Sequence, residues 1–399
     1  MNPNLRRNIK LDYLNTFITN LNMQSFVWVL YLTYCHMSLM QIGILEGIYH
    51  ATGILFEIPS GALADLVGRK RSMILSRICV TVSCIIMMFS RSFWLFAVSF
   101  VLQALGNNLN SGSEEALVYD SMKCLSEENM YRKVNGRINM LIEISQAIAT
   151  VAGGILAEYS YFWCYAACVV ISLLAVLPVL FMIEPPVAAN SGKKEPLDGF
   201  RTVIRHFEVS FEILAGDLRI LKIITYFSIV FASYTLLFFY SQQYYSDFGY
   251  SKIEISVIFL LAGIFSCFGA LLSNRLYCRL GEKISVISSL SIAMTLICFG
   301  FRKPAISIVA FVIAGFFNSA LYPVESEALN ALIPSEQRAT LISVNSMLFS
   351  VMMIVMFPIA GALADQWGLP CILRMLGILL LLFVSGWNKI GHRPVLSVF

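Results

Sequence analysis

Several acidic side chains of this chain stand inside long apolar runs, where a carboxylate left in lipid is costly. The most polar such run is 93–118, with Gln103, Asn107, Asn108, Asn110, Ser111, Ser113, Glu114 and Glu115, followed by Asp120. Adjacent helical residues point about 100° apart, so Glu114 and Glu115 cannot share one face. Either one, aimed into a cavity, is a place to hold a proton or a cation. Glu143 has Gln146 at i+3 inside another run, and Glu325 follows Pro323 in a third. Glu46 and His50 are spaced i,i+4 and lie on one helical face, a geometry in which two groups can share a proton. Glu57 sits two residues before Pro59. Asn107 and Asn108 complete the candidate cavity polar set. Each of these residues also has a plainer reading, as an interhelical hydrogen-bonding group or a helix cap.

The composition says what must position them. Only 13% of the residues are charged, against about 25% in soluble proteins, and 58% are hydrophobic. A soluble protein of 399 residues needs far more charged surface, so the direct reading is an all-α polytopic membrane protein. The net charge of +4 sits in short clusters between apolar runs and does not make a nucleic-acid surface. Ten cysteines are scattered without a C-x-x-C, and four histidines lie far apart, so neither a disulfide framework nor a metal centre is expected. There is no P-loop or dinucleotide fingerprint, so neither an enzyme nor direct drive by ATP is expected.

Apolar runs long enough to cross a bilayer are expected at 11–34, 38–63, 72–90, 93–118, 134–157, 160–183, 218–240, 253–274, 284–301, 304–328, 339–361 and 369–387. The first is diluted by Asn15, Thr16, Thr19, Asn20 and Asn22. Arg77 and Arg374 lie near the ends of their runs and are expected to snorkel. Alternate loops carry the arginines and lysines, among them Arg69, Lys70, Arg71, Arg132 and Lys133, which places them and both termini on the cytoplasmic side of an inner or plasma membrane. The connector 184–217 is broken by Pro185, Pro186 and Pro196, and its later part has an amphipathic spacing suited to the membrane surface. It separates two bundles of six helices, 1–183 and 218–399.

The halves repeat. Gly153-Gly154-Ile155-Leu156-Ala157-Glu158 parallels Ala360-Gly361-Ala362-Leu363-Ala364-Asp365, and Asn274 to Lys283 is a worn copy of the loop after the second crossing. That loop carries Gly61, Leu63, Asp65, Gly68, Arg69 and Lys70. Gly61 suits a close helix approach and Gly68 a tight turn. With these residues the chain resembles the major facilitator superfamily. The resemblance covers nearly the whole chain and implies two parallel six-helix bundles. It also implies that Asp65 and Arg69, with Gly61, Gly68, Lys70 and the nearby Asp120, form a cytoplasmic latch that holds one state closed. Two departures stand out. There is no Arg between Arg91 and Arg132, and the fifth crossing has Ser145, Ala149, Gly153 and Gly154 but lacks the proline of drug–proton antiporters.

The strings EIPSGALAD and SGSEEALVYDS are similar to bacterial multidrug-efflux members. They imply an alternating-access secondary transporter that exports hydrophobic organic compounds, driven by a proton gradient and using no cofactor. Glu115, Glu114, Glu143 and Glu325 are its coupling candidates. Dense aromatics such as Tyr234, Phe238, Tyr244 and Tyr245 suit membrane-interface belts, and those among them that face the cavity would line a site for such a substrate. Uptake of a small metabolite with protons or sodium is the alternative, and a non-transporting receptor on the same fold a further one. The expected partners are a small hydrophobic molecule and the lipid bilayer, with the protein a monomer.

Overall fold

In the computed structural model every regular element is helical, and the structure describes residues 5–185, 218–332 and 338–390. The amphipathic part of the 184–217 connector therefore lies outside the described residues. The helices are α1 (Arg6–Asn20), α2 (Gln24–Tyr34), α3 (Leu39–Val67), α4 (Arg69–Phe89), α5 (Phe93–Cys124), α6 (Tyr131–Tyr159), α7 (Tyr161–Leu174), α8 (Val176–Phe181), α9 (Leu218–Asp247), α10 (Lys252–Leu280), α11 (Lys283–Phe299), α12 (Pro304–Leu332), α13 (Arg338–Trp367) and α14 (Leu369–Ile390). Among the described residues nine helices are long and apolar enough to cross a membrane. The other three expected crossings are helical too. The first is broken, α5 is diluted by its own amides and acids, and α11 is short.

The first crossing departs from a continuous 11–34 span. It begins at Arg6 and leaves the helix at 21–23. Asn20 turns its amide back onto Thr16 O (2.9 Å), and Ser25 N–H and Oγ both donate to Asn22 O. Such local bonds compete with the helix ladder. The sixth crossing is also interrupted, between α7 and α8, three residues before Pro178.

The residues form two compact units, Met1–Trp28 with Ile48–Arg205, and Val29–Gly47 with His206–Phe399. In the first, α4 packs along α5 and α7, and α1 along α6. In the second, α11 packs along α12 and α14, and α9 along α13. These are equivalent pairs in the two sequence repeats. The second unit also holds the turn from α2 into α3. There the Asp365 carboxylate accepts the Leu39 and Met40 N–H groups, each at 2.9 Å, and so caps α3. A Cβ on Gly43 would stand 2.6 Å from Phe357 O, so glycine permits the α3–α13 approach.

The aromatics of α9 pack inside the second unit. Tyr226, Phe227, Tyr240, Tyr244 and Tyr245 are fully buried, and Tyr244 lies 4.6 Å from Phe299 between ring centroids. Large apolar side chains such as Trp94, Leu95 and Leu271 cover the outside, as expected where the solvent is lipid.

Candidate functional site

The polarity of α1 has a direction. Asn8, Asp12, Asn15 and Thr16 recur at helical spacing and are all buried, so they form an inward stripe. Asn8 donates to Ser121 Oγ of α5 (2.9 Å) and to Ile183 O (2.7 Å), while its Oδ1 accepts from Ile183 N (2.9 Å). Further along the helix, Asn15 Nδ2 donates to Glu114 Oε1 at 2.5 Å, with the Thr16 hydroxyl at 3.4 Å from the same oxygen. The second Glu114 oxygen accepts from Asn110 Nδ2 (2.5 Å), and Asn110 Oδ1 accepts from Arg77 Nη2 (2.7 Å). A single hydrogen-bonded chain therefore runs from Arg77 on α4, through Asn110 and Glu114 on α5, to Asn15 on α1.

Arg77 does not snorkel. It is 6% exposed and about 12 Å along α4 from Arg69, beyond the reach of its own side chain to the helix end. The small residues of α4 and α5 enclose it. Ser72 Oγ donates to Leu109 O (2.9 Å) and Ser76 Oγ to Gly106 O (2.6 Å), and a Cβ on Gly106 would lie 2.7 Å from Val80 Cγ2. Asp12 completes the cluster. It is 1% exposed, it receives no N–H donor, and its carboxyl group lies within hydrogen-bonding reach of Glu114, with Arg77 as its charged neighbour. Sequence reasoning passed over Asp12. The stripe of Asn8, Asp12, Asn15 and Thr16 was the signal that could have found it.

The other candidates are placed as follows. Glu115 is exposed and accepts from the Tyr131 hydroxyl (2.9 Å). Asn107 donates to the Tyr49 hydroxyl (2.7 Å) and Asn108 to Gly53 O (2.8 Å). His50 is half-buried and meets the Tyr49 ring edge-on at 5.5 Å. Glu46 is buried in the second unit, whereas Glu57 and Glu143 are exposed. Glu325 is buried in the second unit and accepts from Asn345 Nδ2 (3.1 Å). Among the described residues, no cluster of histidine, cysteine, aspartate and glutamate is placed to hold a metal ion.

The loop after α3 is built on Gly68, whose φ of 92° favours glycine. That turn presents the start of α4 to Glu184. The Glu184 carboxylate accepts from Arg69 N (2.8 Å) and Lys70 N (2.9 Å), a negative cap on a helix N-terminus. Lys70 Nζ donates to Leu180 O (2.8 Å). Arg69 donates to Ala116 O (2.6 Å) and forms a part-buried ion pair with Asp120. The Asp65 side chain lies outside the described residues. Gly61 corrects an expectation: among the described residues a Cβ there would meet nothing within 4 Å, so no close helix approach requires glycine at this position.

Repeated helix pairs, membrane-length apolar helices and a charged cluster enclosed between them define a polytopic membrane transporter. The profile of the Major Facilitator Superfamily matches residues 13–306 and 279–391, and the chain belongs to that family. It is similar to an uncharacterized MFS-type transporter, YxaM, of Bacillus subtilis (strain 168), at 25% identity over 89% of this chain and 88% of that one. It is also similar to the class H tetracycline resistance protein of Pasteurella multocida, at 23% identity over 63% of this chain and 61% of that one. Two solved structures share its fold. A point mutant of the nucleoside transporter NupG has a TM-score of 0.82 at 12% identity, covering 96% of this chain and 100% of that one. A D-xylose-proton symporter has a TM-score of 0.69 at 15% identity, covering 95% and 97%. The chain is a multi-pass secondary transporter of small molecules and not an enzyme. The narrower likeness to multidrug-efflux members is not carried by these structures, which are of nucleoside and xylose transporters.

Proposed function

We propose that this protein takes up a small polar solute together with protons, by alternating access of two helical bundles, with Asp12, Arg77 and Glu114 as the proton-holding unit. The observation that carries the reading is a charge count. Two carboxyl groups face one guanidinium inside the membrane region, so the cluster bears a surplus negative charge unless it also holds a proton. Glu114 receives amide N–H donors on both oxygens, the arrangement that suits a carboxylate, while Asp12 receives no N–H donor and stands within hydrogen-bonding reach of Glu114, a contact that needs a proton on one of the two. Asp12 is therefore the group that takes and releases the proton. A symporter among the similar structures agrees with inward coupling. The arginines and lysines of alternate loops favour a cytoplasmic position for both termini.

Export is a second reading, favoured by the similarity to a tetracycline resistance protein. Purified protein in liposomes with an entrapped pH dye separates the two. External uridine, D-xylose or dipeptide acidifies the lumen in the proposed symport. Alkalinisation driven by an external lipophilic cation supports export instead. Absence of proton movement with every solute, under either gradient, refutes the coupling.

A further inference from the structure

We propose that Asp365 is a gating residue. Its carboxylate clasps the corner between α2 and α3 onto α13 while one membrane face is shut, and it lets go when that face opens. This goes beyond the transport reading and uses only its alternating access, whatever the solute. The corner is marked by where it packs. Val29–Gly47 belongs in sequence to the first repeat, yet it sits in the second unit, while the remainder of α2 and of α3 sits in the first. A segment divided in this way has to change partners when two bundles rock.

The clasp is a helix cap supplied from a distant part of the chain. The first N–H groups of a helix have no intrahelical partners. α3 meets part of this need itself, through a capping box. Ser38 Oγ accepts from Gln41 N (3.2 Å), and Gln41 Oε1 accepts from Ser38 N (3.0 Å). The box leaves Leu39 N and Met40 N, and these are the two donors that Asp365 takes, one on each oxygen. The Tyr240 hydroxyl of α9 stands 3.3 Å from Leu39 O and 3.1 Å from Phe357 O, between the corner and α13. The backbones meet on glycines from both sides: a Cβ on Gly361 would collide with Leu39 O, and one on Gly43 with Phe357 O.

Two features make this contact reversible. The capping box travels with α3, so the helix keeps its start when Asp365 leaves. Asp365 is also exposed, so water can replace its partners on both sides of the bond. The sequence repeats at this point. Gly-Ala-Leu-Ala-Asp-x-x-Gly stands at 61–68 and again at 361–368. Each copy ends its helix, α3 or α13, at a glycine of positive φ, 92° at Gly68 and 80° at Gly368. As the second and eleventh crossings, α3 and α13 run in opposite directions, so the copies end on opposite membrane faces. The Asp365 copy is the one without a basic cluster, which assigns its clasp to the outer face.

The test uses the full chain in lipid nanodiscs, where both faces meet a reagent. Ala364 is 4% exposed and shares the α3-facing side of α13, at i+3 from Gly361 and i+7 from Phe357. Ala364→Cys is labelled with methyl methanethiosulfonate and followed by mass spectrometry, with buried Cys164 of the first unit as the control for general loosening. Labelling of a buried thiol follows the open population. Asp365→Ala is expected to raise the rate at Ala364→Cys about fivefold, the equilibrium worth of one helix cap. Asp365→Asn keeps one acceptor and should raise it less. Should Asp365→Ala not fold, Tyr240→Phe removes the bridging hydroxyl without touching charge and should raise the rate about threefold. The proposal fails if a folded Asp365→Ala, or Tyr240→Phe in its place, leaves the rate unchanged. It fails equally if Cys164 speeds up in step, or if Asp365→Asn matches Asp365→Ala, which would trace the change to charge beside the thiol. Solute flux with no change in labelling would remove the clasp and leave the transport reading intact. Changed labelling without flux would keep the clasp and remove the uptake reading.

Discussion

Replacing Asp12 by asparagine keeps the shape of the side chain and removes its proton. In the wild-type cluster, two acids and one base balance only while one proton is held. In Asp12→Asn, Glu114 and Arg77 balance each other permanently, so the variant resembles the proton-loaded state and should fold. Its defect is confined to coupling. One proton carried per cycle is worth about 2.3 kcal/mol per 100 mV of membrane potential, which sustains a solute gradient of about 50-fold. Proteoliposomes with an interior potential of about −100 mV should therefore accumulate solute about 50-fold with the wild type and about onefold with Asp12→Asn. Exchange of labelled for unlabelled solute needs no net proton movement, so the variant should retain it. Accumulation by Asp12→Asn at the wild-type level would refute the reasoning. Loss of both exchange and accumulation in a stably folded variant would move Asp12 from coupling to solute binding.

Glu115→Gln should leave accumulation within about twofold of wild type, because Glu115 is exposed and meets Tyr131 rather than the buried cluster. Gly153→Val should lower the thermal stability of the purified protein by about 1–3 kcal/mol, because the new side chain overlaps the Met23 carbonyl at the break. Glu184→Ala should cost about 1 kcal/mol of stability by uncapping α4, with unchanged solute affinity. A double-mutant cycle on Arg69→Ala and Asp120→Ala should give a coupling energy of about 1–3 kcal/mol in unfolding, since the pair is only 18% and 12% exposed. Additive effects would remove any energetic role for that contact.

Much of this molecule was legible along the chain, because crossing a bilayer is a local requirement. Each segment must satisfy its own backbone and present about 20 apolar residues, so the helices and their order follow from hydropathy, and the repeated Gly153 and Gly361 motifs from direct comparison. The presence of acids in the fourth crossing, and the rule that Glu114 and Glu115 diverge, were equally local. Which of the two turns inward was not. It depends on the rotation of α5 about its axis, and burial of Ser113, Leu117 and Ser121 sets that rotation. Arg77 looked like a residue near the end of a crossing, and Asp12 drew no reading at all. They come within electrostatic reach of each other because α1 and α4 both pack on α5, across sequence separations that no periodicity records. The break at 21–23 belongs with them, since it is held partly by its own asparagines and partly by a glycine on α6. A lone acid or guanidinium at membrane depth takes its meaning from its partners, and those partners are chosen by packing.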